Sequence, residues 1–173
     1  MSWSVGPKMY NAFATVDSEG SKGSTRLHMD MADAVNIMVY AEPCSDGSPG
    51  GARWDLFRAE DAPAIRKFLR DRFNLADGLD PIHSQQFYLD KQLRAELYMK
   101  TGVRSHQVIQ KQGEAVFIPA GCAHQVCTFG LFIYAEKRVV DHGFYSYRYA
   151  ICLTALRWRR ILSARRISSD VHV

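Results

Sequence analysis

The chain has 173 residues, 47% of them hydrophobic and 23% charged, with a formal net charge of +4; this is the make-up of a soluble globular chain with a core of its own. No window holds the run of about eighteen apolar residues that a membrane span needs, and the start, MSWSVGPKMYNAF, lacks the basic end and apolar stretch of a secretory leader. An intracellular protein is therefore expected.

The positive charge does not mark a nucleic-acid surface. From Thr128 to Val173 there are eight Lys or Arg against three acids, while the preceding part holds fourteen against fifteen. The surplus belongs to the tail, above all to RWRRILSARR, and such runs are most often solvated. The four cysteines, Cys44, Cys122, Cys127 and Cys152, form no C-x-x-C pair. They read as buried free thiols, not as a disulfide framework or a zinc finger.

In chain order, PKMYNAFATV reads as a strand, DSEGSKGS as a polar turn, and TRLHMDM followed by AVNIMVYA as further strand. PCSDGSPGGA is a loop and RWDLFRA a short strand. EDAPAIRKFLRDRFNL predicts a helix, with Asp61 as cap, Pro63 in the first turn, and Ile65, Phe68, Leu69 and Phe73 at helical spacing. FYLDKQLRAELYMKTG predicts a second, with Leu89, Leu93 and Leu97 on one stripe and Gly102 as its stop. HQVIQKQGEAVFIPAG holds two short strands about Gly113, and CAHQVCTFGLFIYAEKRVV continues as strand. Short strands with helices confined to one excursion point to a mostly β, antiparallel sandwich or barrel.

One pattern carries chemistry. In an extended strand, residues two apart share a face, so His28 and Asp30 converge on one spot. They are either a hydrogen-bonded pair or two arms of a metal site. His124, which follows the IPAGCA turn, is the third candidate. Two imidazoles and one carboxylate make the facial triad of non-heme Fe(II) oxygenases. Three protein ligands leave coordination positions open, whereas thiolates would favour zinc or clusters.

The wording around these residues narrows the reading. GPKMYNAF, TRLHMDMADAVNIMVY, DPIHSQQFYLD and GEAVFIPAGCAHQV closely resemble the JmjC domain of the lysine demethylase 3 group, which includes hairless and demethylases of histone H3 lysine 9. The likeness runs in order from about Gly6 to Cys127. It implies a double-stranded β-helix, a cupin-like jelly-roll, with a helical insert over about 60–102. On this reading, residues 1–140 form a partial, N-terminally truncated JmjC domain, and 141–173 an atypical basic tail.

The resemblance further implies Fe(II) and 2-oxoglutarate, with dioxygen as the oxidant. Family ligands fall on His28, Asp30 and His124, which are then also the catalytic residues. Thr25 matches a position whose hydroxyl meets the distal carboxylate of 2-oxoglutarate, and Asn36 one whose amide meets the co-substrate. Tyr10 matches a position near the methyl-lysine pocket. Plainer roles stand beside each of these: strand former for Thr25, backbone partner for Asn36, core for Tyr10. His83, His106, His142 and His172 are assigned no iron. The implied reaction hydroxylates an N-methyl group and releases formaldehyde. It acts on a methylated histone H3 tail among chromatin-associated proteins in the nucleus, with neither membrane nor sequence-specific DNA contact.

Two departures qualify the likeness. Family domains carry strands and a helical region upstream of the first matched strand. After Cys127 the likeness stops, and Tyr134 stands where a lysine would pair with the co-substrate carboxylate. A phenol brings no charge, and charge-assisted bonds are roughly twice as strong as neutral ones. Lys137 is out of step with that position in a regular strand. The tail is accordingly expected to be an altered reading of the gene, such as a retained intron or shifted frame. The alternatives to a demethylase are a catalytically impaired chromatin-binding or co-regulator domain, and a protein side-chain hydroxylase.

Overall fold

Residues 8–15, 19–139 and 156–157 are described in the computed structural model of the chain, with side chains described for 13–15 and 19–131. Among the described residues, nine strands fall into two antiparallel sheets. The first sheet has the order β1-β8-β3-β6-β9, built from Lys8–Ala12, Phe132–Val139, Asp33–Ala41, Glu114–Ile118 and Leu156–Arg157. The second has the order β2-β7-β4-β5, from Thr25–His28, His124–Phe129, Gly51–Leu56 and His106–Gln110.

Alternation along the strands explains why the sheets face each other. In β3, Ala34, Asn36 and Met38 are buried while the residues between them are not. Of these, Ala34 and Met38 meet Trp54, Leu56, Val108, Val116, Ile118 and Val126 in one apolar layer between the sheets. The mostly β, jelly-roll-like class expected from the sequence is what the chain adopts.

β5 and β6 flank Gly113 but belong to different sheets, so this turn passes the chain from one layer to the other. The stretch after His124 is likewise not one strand. It breaks at Gly130, which has φ of +78°, and β8 then crosses to the opposite sheet.

Two helices cover the outer face of the second sheet. α1 spans Ala62–Phe73 and α2 spans Lys91–Thr101. Ile65, Phe68, Leu69 and Leu97 pack there with Leu27, Phe57, Ile82 and Leu89. Asp61 does not cap α1 with its side chain, because a 3-10 turn over Ala59–Asp61 feeds directly into the helix. α2 starts later than its leucine stripe implies. Asp90 caps it, its carboxylate accepting the Leu93 N–H at 2.9 Å, and also accepts the Gly20 N–H at 2.9 Å. Leu89 therefore lies outside the helix. Gly102 ends α2 in the left-handed conformation, as its position predicts.

The helices are tied to the sheet by buried polar groups as well as by apolar packing. Gln125 on β7 holds the Leu89 backbone at both ends: its Oε1 accepts the Leu89 N–H at 2.8 Å, and its Nε2 donates to the Leu89 carbonyl at 2.7 Å. The same Nε2 donates to Asp55 at 3.0 Å. Asp55 is fully buried and also accepts from Arg94 at 3.0 Å, Gln107 at 2.9 Å and Ser105 at 3.2 Å.

Such a charge is tolerated only while its donors are in place. Arg94→Met leaves it short of its closest cation and is expected to cost about 3–5 kcal/mol. Breaking the exposed Arg58–Glu60 pair by Glu60→Gln should cost less than about 1 kcal/mol. Urea unfolding of the two variants checks the contrast.

Candidate metal centre

The site is assembled across the β2–β7 ladder. His28 stands directly opposite His124, and Thr25 opposite Val126. His28 lies three positions after Thr25, but their partners are only two positions apart, so the register shifts between them. This irregularity does what a regular strand cannot: it lets Thr25 and His28 face the same layer. The two imidazole rings lie with centroids 4.2 Å apart and planes inclined at 53°.

Both rings are held in the same way. His28 Nδ1 donates to the Arg26 carbonyl at 2.8 Å, and His124 Nδ1 to the Cys122 carbonyl at 2.9 Å. A carbonyl can only accept, so each Nδ1 carries a proton, and in the neutral ring Nε2 is then the atom with the lone pair. This is the tautomer a metal-ligating histidine adopts when a backbone oxygen orients it.

Asp30 arrives differently from the way its spacing predicts. β2 ends at His28, and Asp30 lies in the bend that follows. Hydrogen bonds to the turn before β7 place it. The Asp30 carbonyl accepts the Gly121 N–H at 2.8 Å, and Asp33 Oδ1 accepts the Ala120 N–H at 2.8 Å. Gly121 adopts φ of +78°, which is why glycine serves at this position. The result is a cluster in which one ligand atom from each of His28, Asp30 and His124 lies within 4.8 Å of the others. It is the one group of this kind among the described residues. His124 is 3% exposed and Asp30 8%.

A short polar chain adjoins the cluster inside the apolar layer. Trp54 stacks on the His124 ring, with centroids 6.0 Å apart and planes inclined at 26°. Its indole N–H donates to Gln110 at 2.8 Å, and Gln110 in turn donates to Asn36.

Residues 20–136 match the family described as JmjC domain, hydroxylase. The chain belongs to the JmjC family. It is 41% identical to lysine-specific demethylase 3 of Drosophila melanogaster and 37% identical to lysine-specific demethylase 3A of Homo sapiens, each over 70% of this chain. It is 31% identical to lysine-specific demethylase JMJ26 of Arabidopsis thaliana, again over 70% of its own length. The chain spans only 18%, 12% and 20% of these three relatives.

Within this JmjC fold the other sequence-predicted residues fall as follows. Thr25 stands opposite Val126, two positions along β7 from the histidine pair. Asn36 is fully buried on β3, and its Nδ2 has no hydrogen-bond partner. Tyr10 sits opposite Tyr134 in the β1–β8 ladder, but the side chains of both strands lie outside the described residues. In the β3–β8 ladder position 134 pairs with Met38 and position 137 with Val35, with regular register between them. His83 lies on the surface near Asp80, and His106 on β5; neither belongs to the cluster. His142, His172 and Cys152 fall outside the described residues. So does the tail expectation, apart from Leu156–Arg157, which pair with Ala115 and Glu114. Cys122 and Cys127 are buried and in no disulfide among the described residues, while Cys44 is partly exposed.

Sequence reasoning missed Asp33, Trp54 and Gln110. Gln110 carried a legible signal, a polar residue at the inward parity of the HQVIQ strand, two positions beyond the buried Val108.

Burial, and after it the neighbouring His28, lowers the His124 pKa from 6.5 to about 4, against an upward pull from the Cys122 carbonyl and Asp30. The ring is neutral and able to ligate at neutral pH without losing a proton first. The unfolded chain protonates this histidine near 6.5 while the fold resists until about 4. His124 therefore contributes no penalty above that upper value, and stability falls as the pH drops through the interval, by at most about 1.4 kcal/mol per pH unit. Urea unfolding of the metal-free protein between pH 7 and 4.5 should show this slope, and His124→Gln should flatten it.

Proposed function

We propose that this chain is the JmjC segment of an Fe(II)- and 2-oxoglutarate-dependent dioxygenase acting on N-methylated lysine, with the histone H3 tail at lysine 9 as substrate and the nucleus as its place. One observation carries the reading: two imidazoles with Nδ1 already engaged by carbonyls converge with a carboxylate on one spot. That donor set suits ferrous iron, since it is nitrogen and oxygen without thiolate and supplies three ligands, not four. The unpartnered Nδ2 of Asn36 fits an anionic co-substrate, because a buried amide donor left unpaired is costly until an acceptor arrives. The likeness to lysine-specific demethylases supports the substrate class.

His28, Asp30 and His124 would hold the iron, which with 2-oxoglutarate and dioxygen would supply the power to hydroxylate an N-methyl group. The chain's own part is orientation and exclusion. The Arg26 and Cys122 carbonyls fix the two rings, and Gly121 and Asp33 fix the loop that presents Asp30. Trp54, Leu56 and Val126 surround His124 with apolar surface, which keeps water from the reacting groups. Thr25 and Asn36 would receive the co-substrate, and Tyr10 would border the methyl-lysine.

The test is turnover with iron, ascorbate and 2-oxoglutarate on a lysine-9-methylated histone H3 peptide, read as succinate and formaldehyde. His28→Ala and Asp30→Ala should each abolish both products, and full activity in either variant would remove the ligand assignment. Asp33→Ala touches no metal, yet should weaken Mn(II) binding about tenfold or more by freeing the turn that carries His124; equilibrium binding measures this.

Tyr134 in place of a lysine favours a second reading, a co-regulator that holds metal and little co-substrate. Succinate without formaldehyde on any methyl-lysine peptide would instead point to side-chain hydroxylation of another protein.

A further inference from the structure

Gln110 is a primary amide, 1% exposed, set in the apolar layer between the sheets. Burying such a residue is least costly when both ends of its amide are used. Its Oε1 accepts the Trp54 indole N–H at 2.8 Å. Its Nε2 faces three oxygens: the Asn36 carbonyl at 3.1 Å, Asn36 Oδ1 at 3.2 Å and the Glu114 carbonyl at 3.1 Å. An indole N–H can only donate, so Trp54 decides which end of Gln110 is oxygen. The nitrogen end must then meet acceptors, and that decides the orientation of Asn36: Oδ1 toward Gln110, Nδ2 away from it. That Nδ2 has no partner. Two amides, each of which could otherwise be turned over, are fixed in sequence from one indole.

We infer that Gln110 is a positioning residue that locks the Asn36 amide with Nδ2 outward from the pair, as the hydrogen-bond donor for a carboxylate of 2-oxoglutarate. The inference rests on the oxygenase reading and adds to it the residue that sets the polarity of the co-substrate contact. Gln110 does not itself meet the co-substrate. It acts through Asn36, and it shares Trp54 with the face of His124.

Gln110→Glu separates this role from packing. A glutamate keeps the shape and still accepts from Trp54, but its second oxygen would confront three acceptors. Relief comes if Asn36 turns over and donates Nδ2 to the glutamate, which leaves Oδ1 facing the co-substrate carboxylate. The probes are Mn(II) alone and then 2-oxoglutarate added to the Mn(II)-loaded chain, both followed by calorimetry. Gln110→Glu should leave Mn(II) affinity within about twofold and weaken 2-oxoglutarate about tenfold or more, the loss of one hydrogen bond to a charged group. In an Asn36→Ala background the same substitution should add less than about twofold, because the residue it works through is gone.

If Gln110→Glu fails to fold, Gln110→Met takes its place and must show the same non-additivity with Asn36→Ala. Unchanged 2-oxoglutarate affinity in the Gln110 variant, or full additivity with Asn36→Ala, overturns the inference and leaves the oxygenase reading standing. A wild-type chain that takes up Mn(II) but no 2-oxoglutarate overturns both.

Discussion

The site depends on one cross-strand contact, His28 opposite His124 in the β2–β7 ladder. Directly opposed residues on antiparallel strands are the closest side-chain neighbours a sheet offers. Two ligands from positions far apart in the chain are thus brought together by backbone pairing alone. The register shift beside this pair turns Thr25 to the same side. The third ligand needs a separate device because it lies beyond the strand. The bonds from Gly121 and Ala120 to Asp30 and Asp33 supply it. The segment that bears Asp30 and the turn that leads into His124 therefore hold each other.

Two further layers of constraint surround this contact. On the inner side an apolar shell, with the Trp54–Gln110–Asn36 chain set in it, lies against His124. On the outer side the helical excursion is fastened through Gln125 and the buried Asp55. Hydrophobic burial sets the position of the helices only loosely, since apolar contact is non-directional. The Gln125–Leu89 pair and the Asp55–Arg94 bond are directional, and they fix the register of the excursion on the sheet.

Much of this was legible from the residues. The alternation in AVNIMVYA, Pro63 in the first turn of α1 and Gly102 at the end of α2 follow from local rules, and each stands where those rules put it. His28 and Asp30 were legible as a pair by spacing, yet for a reason that does not hold. The strand ends between them, and tertiary hydrogen bonds do the converging. The start of α2 was misplaced for a related reason: Leu89 has helical spacing, but both its backbone groups are engaged by a glutamine thirty-six residues away. Asp55 and Gln125 gave no local sign at all, since a buried network of this kind exists only once strand, loop and helix meet.

The neighbours His124 and Gln125 point to opposite faces of β7, one toward the metal cluster and the other toward the Leu89 backbone. A slip of β7 by a single residue would exchange them. An imidazole would then be thrust at the insert and an amide into the ligand cluster, so both functions would be lost in one event. The strand's alignment is thereby guarded from two sides, and drift that spared one attachment would be betrayed at the other.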